Sequence, residues 1–192
     1  MKKLQSINDP TKYALIDDDV FEIINDMGLK FSIDKRENKG RYFRSTTEIK
    51  LPGMAKKKKL LLHHFVYIIK TKTEPSLTID HIDRNPANNC FSNLRLATIQ
   101  QQNRHQGKRK NNTSGYIGVC HYHKVSKYKD KTYEYDYWYS SIRRPDNKLE
   151  QKYFPYTKNG KQHSAMWYDD HARKYFGDFA GQLNFQTPSD KQ

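Results

Sequence analysis

Apolar and polar positions alternate over residues 77–82, where one Leu and two Ile are interleaved with Thr, Asp and His, as in a half-buried strand. Asp80 and His81 therefore point to opposite faces unless the strand ends there. A polar loop follows over 83–89, then a second short apolar run around 94–97. Thr98 with Gln101 three places on fits a capping box, which predicts a helix running through Gln102, Asn103 and Arg104. The unit reads strand, loop, strand, helix. Just before it, residues 60–69 are apolar enough for a buried helix or strand.

On either side the pattern changes. Residues 13–16, 31–33 and 41–44 read as short strands between acidic or Gly-containing turns, a small β-rich region. Residues 106–115 are polar and basic and end in Asn-Asn-Thr-Ser-Gly, the composition of a linker. Beyond lie strand-like runs at 116–122, 133–143 and 149–156, and a helix whose Ala165, Tyr168, Ala172 and Phe176 form one apolar stripe. The expected class is α+β, with a β-rich region over 1–62, the strand-loop-strand-helix unit over 63–106, a basic linker over 107–115 and a three-stranded antiparallel sheet packed on one helix over 116–192.

Composition narrows the partner. In 192 residues only 35% are apolar, so small cores are expected. Lys and Arg outnumber Asp and Glu by 35 to 21, for a net +14 and a pI near 9.6, which points to a polyanion, nucleic acid foremost. A membrane surface would call for a long apolar run, and the longest is interrupted by His63 and His64. Two cysteines, Cys90 and Cys120, with no Cys-x-x-Cys pair lead us to expect no structural zinc. Lys2 and Lys3 precede no apolar core, so no secretory signal is read and a cytoplasmic setting is expected. The basic run Lys56, Lys57, Lys58 and Lys59 reads equally as a solvated loop or a phosphate contact.

Acids are scarce between residues 63 and 115, being only Glu74, Asp80 and Asp83, and two of these sit beside His81. Cutting a phosphodiester requires an activated water and neutralisation of developing charge. Asp80 has the chemistry to hold a hard cation such as Mg2+ or Mn2+, and a neutral His81 to take the proton from water. An Asp-His dipeptide alone is a weak signal, since most are surface pairs. His121 and His123 alternate along one strand, but without further ligands they read as surface residues, and His105 reads as solvated or phosphate-contacting.

The wider context is LLLHHFVY followed by TIDHIDRNPANNCFSNLRLAT, which resembles the HNH endonucleases of homing and phage type. The opening YALIDDDVFEII also looks like the usual preface to these enzymes. The resemblance implies a ββα-metal fold in which Asp80 is a metal ligand, His81 the general base and Asn93 a residue tying the loop to the second strand. The family's second metal ligand is an Asn or His on the helix, a place that falls here on Gln102, with Asn103 next. His63 takes the family's histidine position, where packing, phosphate orientation and a simple core role all stay open.

Residues 114–185 resemble the Apetala-type DNA-binding domain of ethylene-response factors, best in SGYIGV and WYDDHARKYFGDFAGQLNF. That implies a sheet laid into the major groove of double-stranded DNA, with Tyr116, His121, Trp138, Tyr139, Arg143, Arg144 and Lys152 as candidate contacts. Arg104, Lys108, Arg109 and Lys110 are expected on the DNA backbone. Period-two alternation turns half of each strand toward the helix, and Trp138 also reads as core. Ile117 stands where the family commonly carries Arg, and insertions near 126–136 and 158–162 depart from the compact pattern. The combined expectation is a DNA endonuclease, monomeric or homodimeric, making nicks or double-strand breaks. The competing class is a non-catalytic DNA-binding protein with an eroded HNH unit.

Overall fold

The computed structural model describes residues 1–33 and 42–186, so Arg41, the start of one expected strand, lies outside the described residues, as do the last six positions of the expected C-terminal domain. Helices and small antiparallel sheets are mixed, an α+β fold. The chain forms two compact units, Met1–Gln100 and Gln101–Gln192. Among the described residues no helix is long and apolar enough to cross a membrane.

In the first unit, β1 (Lys2–Ser6) pairs antiparallel with β2 (Asp9–Ile16), burying Leu4, Ala14 and Ile16. An acidic turn was expected next, but Asp18–Asp26 is a helix, α1. The reason is the helical spacing of Val20 and Ile24, both buried, with Asp18 and Asp19 in the first turn where the helix dipole favours acids. Gly28, at φ +60°, closes it in the left-handed conformation that a Cβ disfavours. Strands β3 (Phe31–Ile33) and β4 (Phe43–Ser45) pair antiparallel.

The apolar run near 60–69 resolves as helix α2 (Leu62–Thr71), buried on several sides through Leu62, Phe65, Val66, Ile68 and Ile69. Then β5 (Thr78–His81) pairs antiparallel with β6 (Leu94–Ala97) across a loop ending in a 3-10 turn at Phe91–Asn93. One core joins these pieces, from Ile16, Val20 and Phe31 through Phe65 and Val66 to Ile79 and Leu94, and it is continuous across residue 62. Phe31 and Phe65 meet edge to face with centroids 5.7 Å apart. A two-stranded β5–β6 ladder is marginal alone, so the N-terminal 60 residues supply much of what holds it.

Helix α3 (Ile99–Arg104) begins one residue after the expected Thr98 cap and straddles the boundary between the units. In the second unit β7 (Val119–Tyr128), β8 (Lys131–Arg143) and β9 (Leu149–Pro155) form an antiparallel sheet in that order. Helix α4 (Lys158–Phe176) covers one face, capped by the Thr157 hydroxyl accepting from the Gly160 amide. The expected apolar stripe is modified. Gly160, Ser164, Ala165, Asp169 and Ala172 are buried, while Tyr168 and Phe176 are half-buried. Small residues let the helix lie close to Val119, Ser140 and Ile142, and the Ser140 hydroxyl donates to the Ser164 carbonyl at 2.6 Å.

Candidate active site and nucleic-acid interface

Asp80 and His81 end β5, and both are buried at 6% exposure. Strand alternation gives them different partners. Asp80 lies opposite Arg95 in the ladder, and its Oδ2 accepts from Arg95 Nε at 3.0 Å with both side chains largely buried. A buried carboxylate needs such cationic or hydrogen-bonded compensation. The His81 ring instead packs edge-on against His63, centroids 5.3 Å apart, with Tyr42 at 6.1 Å.

The far ring nitrogen of His81 is oriented by a residue that motif reading passed over. Asn89, 1% exposed, donates through Nδ2 to the Pro86 carbonyl, which turns its Oδ1 toward His81 Nε2 at 3.4 Å. An amide oxygen only accepts, so Nε2 carries the hydrogen and Nδ1 keeps the lone pair. Burial pushes the His81 imidazole below its ordinary value, against the opposing pull of Asn89, Asp83 and Asp80. His63 is pushed well below its ordinary value, first by burial and then by His64 and His81. Burial thus favours the neutral form of both rings.

The loop between the strands is clamped by amides. Asn93 donates through Nδ2 to Asp83 Oδ1 and the Asn88 carbonyl, and its Oδ1 accepts from the Asp83 amide. Asp83 Oδ2 accepts from Asn88 Nδ2. The loop is also tied to β2, since Leu15 donates to the Ala87 carbonyl and Asn89 donates to the Leu15 carbonyl. Asp17, just before α1, accepts from the Phe91 amide at 2.8 Å. The N-terminal region thereby sets the height of the loop carrying Asn89.

For a hard divalent cation Asp80 fits in kind: it offers a buried carboxylate, one oxygen of which is oriented by Arg95. Gln102 and Asn103 lie on α3, within the second unit. His63 is buried, as is His105, which departs from the solvated reading of the latter.

The second unit sorts the other candidates by face. Ser140 and Ile142 are buried toward α4, so cross-strand register places Trp138, His121 and Lys152 on that same face. Trp138 stacks with Tyr156, centroids 5.2 Å apart, under the Lys161 ammonium. Tyr139 and Arg143 belong to the opposite, uncovered face, together with Tyr122, Tyr137 and Tyr153, which motif reading passed over. Tyr122 and Tyr137 stack at 4.7 Å. The signal that would have found them is strand register, which needs the pairing itself. Arg144 pairs with Asp146, and the Arg104 guanidinium lies 4.3 Å over the Phe176 ring. Tyr116 tilts against Phe185 at 5.7 Å, with the Lys161 ammonium also over its ring. Lys108 donates to the Gly115 carbonyl, and Lys108, Arg109 and Lys110 are exposed.

Residues 61–104 match the family model described as HNH endonuclease. A curated relative, an uncharacterised HNH endonuclease, L560, of Acanthamoeba polyphaga mimivirus, is 53% identical over 45 residues, 22% of this chain and 24% of that protein. The match therefore spans about a quarter of that relative's length. No solved structure matches the chain. The stretch containing α2, β5, β6 and α3 is thus the part of the chain that is similar to HNH endonucleases.

Proposed function

We propose that the protein is a metal-dependent DNA endonuclease in which the HNH domain cuts and the second unit selects the DNA. The observation that carries the reading is the buried Asp80 and His81 at the end of β5, the carboxylate held by Arg95 and the imidazole facing the Asn89 oxygen. A bound Mg2+ or Mn2+ supplies charge neutralisation at the scissile phosphate and leaving oxygen. Asp80 would hold it, and Gln102 and Asn103 are the α3 positions to which the family resemblance assigns the second ligand. Arg95 fixes one oxygen of Asp80 and so sets the carboxylate's orientation. Asn89 holds His81 with Nδ1 as the proton-accepting atom. His81 takes the proton of the attacking water there, and Asn93 keeps the 83–89 loop closed around this geometry.

Targeting rests on the uncovered sheet face. Its row of tyrosines and Arg143 suits contact with sugars and base edges in a groove of double-stranded DNA. Arg104 and the exposed Lys108, Arg109 and Lys110 would follow the phosphates. This is the arrangement that the Apetala-type resemblance implies, with Tyr139 and Arg143 kept as contacts and Tyr122, Tyr137 and Tyr153 added.

Supercoiled plasmid with Mg2+ or Mn2+ tests the reading. Nicked or linear product is expected, and His81→Ala should lower the cutting rate by about 10^2 to 10^4 while DNA binding persists. Gln102→Ala and Asn103→Ala, compared over a metal series, identify the amide donor. DNA bound but left intact under every metal favours the non-catalytic alternative.

A further inference from the structure

Past the sheet proper, β7 and β8 run on as a two-stranded ribbon. Strand β9 pairs with β8 only between Tyr137, opposite Pro155, and Arg143, whereas the β7–β8 ladder continues to Tyr128 opposite Lys131. An unsupported two-stranded ribbon is marginally stable in water. At its base the register sets His123 opposite Asp136, Val125 opposite Glu134 and His121 opposite Trp138. Alternation then brings His121, His123, Glu134 and Asp136 to one face.

Ligand atoms of His123, Glu134 and Asp136 lie within 4.8 Å of one another, and all three residues are exposed. His123 Nδ1 is 3.8 Å from Glu134 Oε1. His121 Nε2 hydrogen-bonds Asp136 Oδ1, and its ring is stacked on Tyr156 with centroids 4.3 Å apart and planes 18° from parallel. One carboxylate of the cluster is therefore held by a ring that is itself held. In a chain carrying 35 Lys and Arg, these two acids each have an imidazole nitrogen beside them, His121 at Asp136 and His123 at Glu134. A nitrogen and carboxylate-oxygen set of this kind suits first-row dications of the Zn2+ class and poorly suits Mg2+, which prefers oxygen ligands and retained water.

We propose that His123, Glu134 and Asp136 bind a Zn2+-class divalent cation, with His121 positioning Asp136, and that the ion clips the two ribbon strands together where β9 no longer supports them. The site stands apart from the Asp80 and His81 chemistry and does not rest on the nuclease reading.

The test is amide hydrogen exchange on the full chain in excess Mg2+, with and without Zn2+. At about ten times its dissociation constant, Zn2+ should slow exchange of the ribbon amides of residues 121–136 on the order of tenfold. The effect should vanish in His123→Ala and in Glu134→Gln, while α4 amides stay protected in both. Ribbon exchange that ignores Zn2+, or protection unchanged in His123→Ala, overturns the proposal. A second readout needs no variant: Zn2+ should shift the imidazole resonances of His123, and an unshifted His123 at saturating Zn2+ overturns it equally.

Discussion

Two asparagines show how a reactive imidazole is prepared one residue at a time. Asn93 closes the loop after β5 with three side-chain hydrogen bonds, and Asn89 spends its NH2 on the Pro86 carbonyl so that its oxygen faces His81. Replacing Asn89 by Leu removes the acceptor that fixes the tautomer and leaves a Pro86 carbonyl unpaired. We expect cutting to fall about 10- to 100-fold, measured as single-turnover plasmid nicking, with DNA affinity unchanged. Burial holds the folded His81 and His63 below the ordinary 6.5, so the base form of His81 is populated at pH 7. Activity should therefore be lost on the acid side only as pH falls through the lowered value, and the acid limb of the pH–rate profile should lie below 6.5. The same two groups couple folding to pH. Below 6.5 the unfolded chain binds protons that the folded chain refuses, so stability is full above that value and falls as pH drops below it. Melting temperature followed from pH 8 to 5 checks the sign.

At the scale of elements, the second unit depends on close approach rather than on apolar bulk. Gly118 has φ +73°, and a Cβ there would sit 1.9 Å from the Tyr168 ring of α4. Gly118→Ala thus meets both backbone strain and a clash, and should destabilise this unit by about 3 kcal/mol or more, read from chemical denaturation. The turn after α4 is pinned by buried Asp169, which accepts from the Asn184 amide, the Asn184 side chain and the Phe185 amide. Asn184 in turn exchanges two hydrogen bonds with Ile117. Motif reading saw SGYIGV and the closing turn as separate matches, and the structure joins them through one asparagine. Helix α1 was missed because DDDVFEII offers acids and apolar residues in nearly equal number. Its helical period becomes decisive only when Val20 and Ile24 have a core to enter.

For the molecule as a whole, charge is the property with the longest reach. Under the proposed function a net +14 makes DNA affinity steeply dependent on salt. Replacing Lys108, Arg109 and Lys110 together by Ala should reduce the slope of log affinity against log salt by about one per residue removed. Fluorescence anisotropy over a KCl series measures it, and an unchanged slope would remove these residues from the phosphate contacts.

Much of this protein was legible without coordinates. Charge excess, the Asp80-His81 pair with its flanking motifs, the strand-loop-strand pattern and the three strands before a helix are all local properties of the chain, fixed by side-chain chemistry and period. Tertiary structure alone decided which residues meet across strands and between distant segments: Arg95 on Asp80, Asn89 on His81, β2 on the Asn89 loop, and Glu134 and Asp136 beside His123. It also decided which face of the sheet α4 covers, moving Trp138 and His121 to one side and Tyr137 and Tyr153 to the other. The physical reason is that period-two alternation sorts side chains into two sets, and only strand pairing and burial tell which set faces the core.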